Sequence, residues 1–293
     1  MNIKNFITAL LISCFLVFCA SNSSQASPNK YDPTLYMLSS TGDAQMLSSM
    51  IITSDGKVIV VDGGWTYDAE KLSSVIKRYG GTVDAWLITH PDPDHIGALY
   101  RIMQGGYNVT IRSIYCSLAT DSWYKEKSPD TAEFVRLFRE SLSQYNVINV
   151  RKNNLFHIGN TKIYVLNDRY DLNNAMNNSS IVYKVFIGDL SILYLGDLGY
   201  EGGEKLLAET PPYLLSSDIV QMSHHGQAGV GENVYKVIDP SIALWSAPQW
   251  LWTNNNGTGP FKTLEVRNWM QKIGCKNYVT ADGDICLDLM NIK

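Results

Sequence analysis

The segment T-H-P-D-P-D-H-I-G, residues 89–97, follows the apolar stretch VDAWLIT (83–89) and precedes apolar residues at helical spacing. The pattern predicts a buried strand, a turn, and a helix from about His95. His90, Asp92, Asp94 and His95 place four metal-ligand side chains within six residues. Imidazole and carboxylate together suit zinc, manganese or iron. The alternative is an ordinary Asp/Pro turn with a helix-capping Asp.

Three other strand ends carry side chains of the same kind. Ser223-His224-His225-Gly226 follows the apolar strand DIVQMS, Asp197 ends the strand ILYLGD, and Asp62 ends VIVVD before Gly63-Gly64. Each taken alone is also explained as a turn former or a packed histidine. Because a sheet collects strand ends along one edge, we expect these groups to converge on one site.

The rest of the chain alternates strands and helices in two similar halves, with many strand pairs joined by tight turns. This favours helices that cover mixed sheets over a simple doubly wound sheet. Residues 119–130 look like a polar loop, and Asp130 with Glu133 resembles a capping box for a helix through about Tyr145. The closing segment NYVTADGDICLDL (277–289) predicts a hairpin around Asp282-Gly283.

Composition is that of a globular protein: 293 residues, 45% hydrophobic and 18% charged. The length allows one large or two small domains. Lys plus Arg number 24 against 28 Asp plus Glu, a formal charge of −4. A broad basic surface for nucleic acid is therefore not favoured.

The first 26 residues predict a secretory signal peptide, with cleavage after Ala26. A single domain over residues 27–293 would remain, without a membrane span, outside the cytoplasm or at the cell surface. The alternatives are an uncleaved N-terminal anchor or lipidation at Cys19, which the bulky Phe18 disfavours. Cys116, Cys275 and Cys286 would be left, an odd number that excludes a disulfide framework. Whether Cys275 and Cys286 pair across the predicted hairpin stays open.

Five motifs in order resemble the metallo-β-lactamase superfamily of binuclear metallo-hydrolases. They are STGDAQMLSS with DGKVIVVDGG (40–64), THPDPDHIG (89–97), NNSSIVYKVFIGDLSILYLGD (177–197), VQMSHHGQ (220–227) and YVTADGD (278–284). The Asp at the second ligand position resembles the soluble domain of ComEC-like competence DNA-uptake proteins. The resemblance covers about residues 35–290 and implies an α/β fold, a four-layer αββα sandwich with metals at one edge.

The resemblance also implies roles for individual residues. Two divalent metals are expected, zinc first, with manganese or a single zinc as the alternative because imidazoles are few. The implied ligands are His90 and Asp92 for the first metal, Asp94, His95 and His225 for the second, and Asp197 between both. Asp62 would orient a ligand. His224, the less favoured ligand of its pair, would face the substrate as a proton donor, and Asp94 and Asn178 share the catalytic assignment.

Two regions depart from the family pattern. A further ligand His is common between the first cluster and the bridging Asp, but only His157 lies there, outside any motif. Asn177, Asn178 and Ser180 occupy the corresponding place, where they would position substrate or water, or form only a polar turn. Trp250 and Trp252 precede an Asn-rich loop, where indoles would stack on a base, sugar or choline group or belong to the core.

The function expected from this set is hydrolysis by a hydroxide held between two metals. The first hypothesis is a secreted phosphodiesterase acting on a small phosphodiester or on nucleic acid, which the charge disfavours. The second is a hydrolase of an extracellular ester, lactone or lactam. The third is a binding protein without catalysis on the same fold.

Overall fold

The computed structural model describes residues 31–254 and 260–292. The predicted signal peptide, residues 1–26, and Cys19 lie outside the described residues. Among those residues, no helix has both the length and the apolar character needed to cross a membrane. The expectation of secretion stays a prediction.

Sixteen strands are defined in the described residues. In chain order they are β1 (Thr34–Met37), β2 (Ser48–Ile52), β3 (Val58–Asp62), β4 (Thr82–Val83), β5 (Ala85–Leu87), β6 (Thr110–Ile111), β7 (Ile114–Cys116), β8 (Val147–Asn149), β9 (Leu155–Ile158), β10 (Thr161–Val165), β11 (Tyr183–Ile187), β12 (Leu190–Tyr194), β13 (Ile219–Gln221), β14 (Ile242–Trp245), β15 (Lys276–Val279) and β16 (Ile285–Asp288).

Ten α-helices lie between these strands in the same part of the chain. They are α1 (Ala69–Arg78), α2 (Pro93–Met103), α3 (Asp121–Lys127), α4 (Pro129–Ser141), α5 (Ala175–Asn178), α6 (Tyr200–Glu209), α7 (Pro212–Leu215), α8 (Glu232–Ile238), α9 (Gln249–Thr253) and α10 (Thr263–Ile273). Short 3-10 turns occupy Thr66–Asp68, Leu142–Gln144, Ser223–Gly226 and Thr280–Asp282.

Two seven-stranded mixed sheets form the centre of the molecule. Sheet one has the order β16-β1-β2-β3-β5-β7-β8, and sheet two has the order β15-β14-β13-β12-β11-β10-β9. The run β3-β5-β7-β8 is parallel, as is the run β12-β13-β14-β15. The remaining pairs within these two sheets are antiparallel, including the hairpins β9-β10 and β11-β12.

Apolar alternation along the strands produces three buried layers. In β3, Ile59 and Val61 face the other sheet, while Val58 and Val60 face the helices. One cluster fills the space between the sheets. A second joins sheet one to α1, α2 and α4, and a third joins sheet two to α6, α8 and α10. Both faces of each sheet are thus covered, and the predicted four-layer αββα sandwich is confirmed.

Two local predictions on the helical side were wrong. Residues 119–130 contain α3, whose first turn is capped because the Thr120 hydroxyl accepts a hydrogen bond from Trp123 N–H. The capping box of Asp130 and Glu133 does not form: Ser128 is the N-cap, and Pro129 takes the first helical position. Proline suits that position because no partner is needed for a backbone N–H there.

The predicted closing hairpin was also wrong. β15 pairs with β14 in sheet two, whereas β16 pairs with β1 in sheet one. The 280–284 turn therefore carries the chain from one sheet to the other. Cys275 is buried and Cys286 exposed, and both are free thiols. The alternation of residues was correct, but local pattern does not say which sheet receives a strand.

Candidate metal centre

The Asp/His turn, residues 89–97, joins β5 to α2 with regular backbone geometry. Asp92 is the extended N-cap residue, and its carbonyl accepts hydrogen bonds from His95 N–H (2.9 Å) and Ile96 N–H (3.0 Å). Pro93 opens the helix. A side chain at Gly97 would come within 2.5 Å of Thr66 N. The helix therefore begins tightly against the preceding loop and presents the turn at the sheet edge.

Asp62 orients both imidazoles of this turn. Its fully buried carboxylate accepts hydrogen bonds from Thr89 N–H (2.8 Å), the Thr89 hydroxyl (2.6 Å) and His95 Nδ1 (2.8 Å). The same Thr89 oxygen lies 3.1 Å from His90 Nδ1. With a proton on each Nδ1, the Nε2 lone pairs of His90 and His95 are free to bind a metal. This geometry is the one expected of Asp62 as an orienting carboxylate.

Asp197 follows the end of β12 on a turn fixed by neighbouring side chains. Gln221, fully buried on β13, accepts hydrogen bonds from the N–H groups of Leu195 and Gly196, each at 2.9 Å. Its amide donates to the carbonyls of Gly196 (3.1 Å) and Met222 (2.7 Å). Gln221 thus ties the turn before Asp197 to the segment that leads to His224 and His225.

The His-His turn, residues 223–227, has a strained backbone, whereas the backbone of the Asp/His turn is regular. His224 (φ 52°) and His225 (φ 57°) both adopt left-handed backbone conformation. Each such residue costs roughly 1–2 kcal/mol. Gly226, at φ +83°, lies against Trp245, where an added Cβ would come within 2.0 Å of the indole. Tertiary contacts therefore hold this turn in place.

The two turns and Asp197 converge on one point. His225 Nε2 lies 3.1 Å from Asp94 Oδ2 and 3.2 Å from Asp197 Oδ2, and His95 Nε2 lies 3.2 Å from Asp197 Oδ1. One ligand atom from each of these four buried residues lies within 4.8 Å of the others. His90 and Asp92 stand beside them: their Nε2 and Oδ2 atoms are 3.4 Å apart, and the rings of His90 and His95 are 4.1 Å apart.

Three buried atoms of this cluster have no hydrogen-bond partner within the described part of the chain. They are His90 Nε2, His95 Nε2 and Asp197 Oδ1. Unpaired buried polar atoms are costly, so their concentration at one point calls for a ligand. Imidazole nitrogens and carboxylate oxygens at this spacing fit divalent cations. The residues present therefore fit the metals that the motifs imply.

Mutual electrostatics stabilise the charged forms of the metal-free cluster. Burial by itself raises the pKa of Asp197, but His225 and His95 outweigh it and hold that pKa well below its usual range. Burial likewise lowers the pKa of His225, yet Asp197 and Asp94 raise the net value to about 9. A cation bound here would displace protons from the two imidazoles.

His224 lies at the edge of the cluster. Its Nε2 is 3.9 Å from Asp197 Oδ2 and accepts a hydrogen bond from the Asn177 amide (3.2 Å), while Nδ1 faces Ala228 O at 3.3 Å. Burial lowers its pKa, so the ring is neutral at pH 7. His225 therefore has the ligand geometry of the pair. In this tautomer Nε2 is an acceptor, and the expected role of His224 as a proton donor stays a prediction that requires the ring first to take up a proton.

The residues of the polar segment 177–180 have different partners in the structure. Asn177 reaches the site edge through His224. Asn178 instead binds backbone groups, accepting from Gly199 N–H (2.9 Å) and Gly202 N–H (3.1 Å) and donating to Asn173 O. The catalytic role expected of it is corrected to fixing the start of α6. Ser180 is fully buried between His90 Nδ1 (3.2 Å) and Asp197 N–H (3.0 Å), which excludes the expected substrate contact.

The two tryptophans also differ. Trp252, which is half-buried, packs edge-to-face on Trp245 at 5.1 Å and beneath the Arg267 guanidinium at 4.0 Å, and its expected substrate contact stays a prediction. Trp250 is 39% exposed, and its indole N–H donates to Asp43 O at 3.1 Å. It remains at the surface beside the 39–47 loop.

Three site residues were not found from the sequence. Gln221 links two turns, Thr89 connects His90 to Asp62, and Ser246 Oγ lies 3.1 Å from His225 Nδ1. Each is a polar residue at the end of an apolar strand, which is the signal that identified Asp62 and Asp197. Because these three residues are uncharged, the same signal is weaker for them.

Comparisons with known proteins agree with this geometry. A family model described as the metallo-beta-lactamase superfamily matches residues 42–238. The chain is 26% identical over 166 residues to ComE operon protein 3 of Bacillus subtilis (strain 168). That match covers 56% of this chain but 20% of the relative, so the chain spans about a fifth of it.

Solved structures show the same fold at low identity. The metallo-beta-lactamase fold protein YhfI from Bacillus subtilis superimposes with a TM-score of 0.54 at 14% identity, covering 87% of this chain and 99% of YhfI. Zn(2+)-bound PqqB from Methylobacterium extorquens gives 0.53 at 10% identity, covering 87% and 100%. The chain belongs to the metallo-β-lactamase superfamily of metal-dependent hydrolases.

Proposed function

We propose that the protein is a metal-dependent phosphodiesterase that acts outside the cytoplasm on a small phosphodiester. The observation that carries this proposal is that three buried atoms of the cluster, His90 Nε2, His95 Nε2 and Asp197 Oδ1, have no hydrogen-bond partner among the described residues and lie beside further carboxylates. His90, Asp92 and Asp197 would hold one cation, and Asp94, His95, Asp197 and His225 a second. Zinc is expected first, with manganese or a single zinc as the alternative.

The donor set supports a phosphoryl substrate. Asp92, Asp94 and Asp197 supply as many carboxylates as His90, His95 and His225 supply imidazoles. Carboxylate oxygens favour harder cations, which also bind phosphate oxygens. Such cations, when bound, polarise a phosphoryl oxygen and lower the pKa of water. This chemistry would also serve an ester, lactone or lactam, the second candidate, and the chain's charge of −4 favours a small substrate over nucleic acid.

The side chains at the cluster have separate roles. Asp62 holds the Nδ1 protons of His95 and, through Thr89, of His90, so that both Nε2 atoms face the cluster. Asp197 lies between His95 and His225. His224, neutral and partly open at the cluster edge, is placed to accept a proton at Nε2 from water or to return it to a departing alcohol.

The first test combines metal content with turnover of bis(p-nitrophenyl) phosphate. We expect about two metals per chain, loss of hydrolysis after chelation, and recovery with zinc or manganese. Metal without phosphodiester cleavage would shift the assignment to esters, lactones or lactams. Neither metal nor cleavage would leave a binding protein without catalysis.

A pair of variants tests the assigned residues. The double variant His90→Ala/Asp197→Ala removes two groups of the cluster, and we expect both metal and hydrolysis to be lost. His157→Ala is the matched control, because His157 is exposed on β9 and lies outside the cluster. Full activity in the double variant would reject this site.

A further inference from the structure

A cavity adjoins the cluster next to His225. It has a volume of about 330 Å³ and is bounded by the 39–46 part of the loop before β2, the Ser246–Gln249 turn and the 280–283 turn. Ser246 belongs to both places, because it lines this cavity while its Oγ contacts His225 Nδ1. The volume is at the lower end of the range for small-molecule sites.

The lining is rich in oxygen and has no basic side chain. The residues with side-chain oxygens are Ser39, Ser40, Thr41, Asp43, Ser246, Gln249 and Thr280, and none of the lining residues is Lys, Arg or His. Lys71, behind Ser39, is already paired with Asp284 at 2.6 Å. A phosphate or carboxylate would find no compensating charge here. The cavity is therefore unsuited to an anion and suited to a group that both donates and accepts hydrogen bonds.

The walls of the cavity are held in place by hydrogen bonds that do not involve the side chains of Asp43 and Gln249. Asp68, 1% exposed, accepts hydrogen bonds from Thr41 N–H (2.7 Å), the Thr41 hydroxyl (2.8 Å) and the Ser40 hydroxyl (3.2 Å). Trp250 braces the Asp43 carbonyl. The exposed carboxylate of Asp43 and amide of Gln249 project from this frame. A preformed wall lowers the entropic cost of binding.

We propose that this cavity binds a hydroxyl-bearing, uncharged part of the substrate, such as a glyceryl or sugar group, while the phosphodiester lies at the metal cluster. Asp43 and Gln249 are the groups that would bind neighbouring hydroxyls. The inference rests on the proposed function and names its substrate class. A cationic headgroup held by Asp43 alone is the competing occupant.

Three synthetic phosphodiesters with the same p-nitrophenolate leaving group test this assignment. Ethyl, glyceryl and choline p-nitrophenyl phosphate differ only in the group offered to the cavity. In each, water adds to phosphorus as the bond to nitrophenolate breaks, leaving the alkyl phosphate. We expect kcat/KM for the glyceryl ester to exceed that for the ethyl ester by roughly tenfold, as one or two hydrogen bonds to a charged partner provide.

Variants of two cavity residues test whether the preference for the glyceryl ester arises in the cavity. Asp43 has φ 49°, which Asn tolerates, so Asp43→Asn removes the charge with little backbone cost. We expect Asp43→Asn and Gln249→Ala each to lower the glyceryl-to-ethyl ratio by roughly threefold to tenfold. Asp189→Asn, on the β11-β12 turn at the opposite end of the strands, is the matched control and should leave the ratio unchanged.

Each outcome decides between the alternatives. Equal rates for the ethyl and glyceryl esters, or an unchanged ratio in both variants, overturn the inference while the phosphodiesterase stands. Preference for the choline ester that Asp43→Asn abolishes overturns it in favour of a cation. Cleavage of none of the three by metal-loaded protein counts against the proposed function itself, and the inference then fails with it.

Discussion

The Asp/His turn and the His-His turn bring ligands to the same point by different means. The first is the regular start of a helix, with its hydrogen bonds supplied by residues three and four positions away. The second has two consecutive left-handed residues and depends on Gln221 and on the space that Gly226 leaves for Trp245. The backbone of the first turn is therefore set by local hydrogen bonds, whereas the backbone of the second is held by tertiary contacts.

The largest expected effect is at Gly226. Gly226→Ala places a Cβ 2.0 Å from Trp245 at a left-handed position, and we expect a loss of about 4 kcal/mol in the free energy of unfolding. Gly105→Ala is the control, because Gly105 also has positive φ (+96°) but no neighbour within 4 Å; its cost should be about 1 kcal/mol. Urea denaturation measures both. Equal losses would mean that packing against Trp245 does not hold the His-His turn.

Gln221→Met tests the tie between Asp197 and the His-His turn. Methionine fills a similar volume but leaves three backbone groups unpaired, the N–H groups of Leu195 and Gly196 and the Met222 carbonyl, which should cost about 3 kcal/mol. Metal affinity, measured by titration, should fall with stability. Gln271→Met on the exposed face of α10 should change stability by less than about 0.5 kcal/mol. Unchanged metal affinity would show that the tie is only structural.

Asp62→Asn tests the Asp/His turn, where we expect a smaller loss of stability, about 1–2 kcal/mol. The amide would donate to His95 Nδ1 and move the ring proton to Nε2, so metal affinity should fall roughly 10- to 100-fold. Asp239→Asn is the matched control, exposed and at similar φ (49°). A stability loss larger than that of Gln221→Met would contradict the ranking of the two turns.

The smallest effect is expected at the cluster edge. Asn177→Ala removes the hydrogen bond to His224 Nε2 and should cost about 1 kcal/mol. Because this bond favours the neutral ring, its loss should raise the pKa of His224, seen as a shift of the pH profile of kcat. Asn268→Ala, exposed on α10, should leave that profile unchanged. An unshifted profile in Asn177→Ala would mean that His224 does not titrate during turnover.

Local sequence signals predicted much of the fold and the cluster. Strand periodicity identified β3, β5, β12 and β13, and the charged or imidazole residues at their ends meet in the structure. The same local signals did not predict the directions in which the side chains point. Ser180 and Asn178 lie in a motif that faces the site, yet one is buried behind His90 and the other binds backbone near α6.

Long-range placement was the other limit. The segment around Asp282-Gly283 alternates like a hairpin, but its two strands join different sheets, a choice made by burial against β1 and β14. Gln221 was missed for a related reason. Its position at the end of an apolar strand marks it as a candidate, but its role exists only because the backbone turn at Leu195-Gly196 lies beside it.

The 39–47 loop fastens the two halves of the sandwich at the mouth of the site. From the first half, the Trp65 indole donates to Gln45 O and Asp94 O accepts from Leu47 N–H. From the second half, Gln227 donates to Gln45 Oε1 and Trp250 to Asp43 O. Moving the two halves of the sandwich apart would break all of these hydrogen bonds at once. This loop therefore holds the two halves at a fixed separation at the mouth of the site.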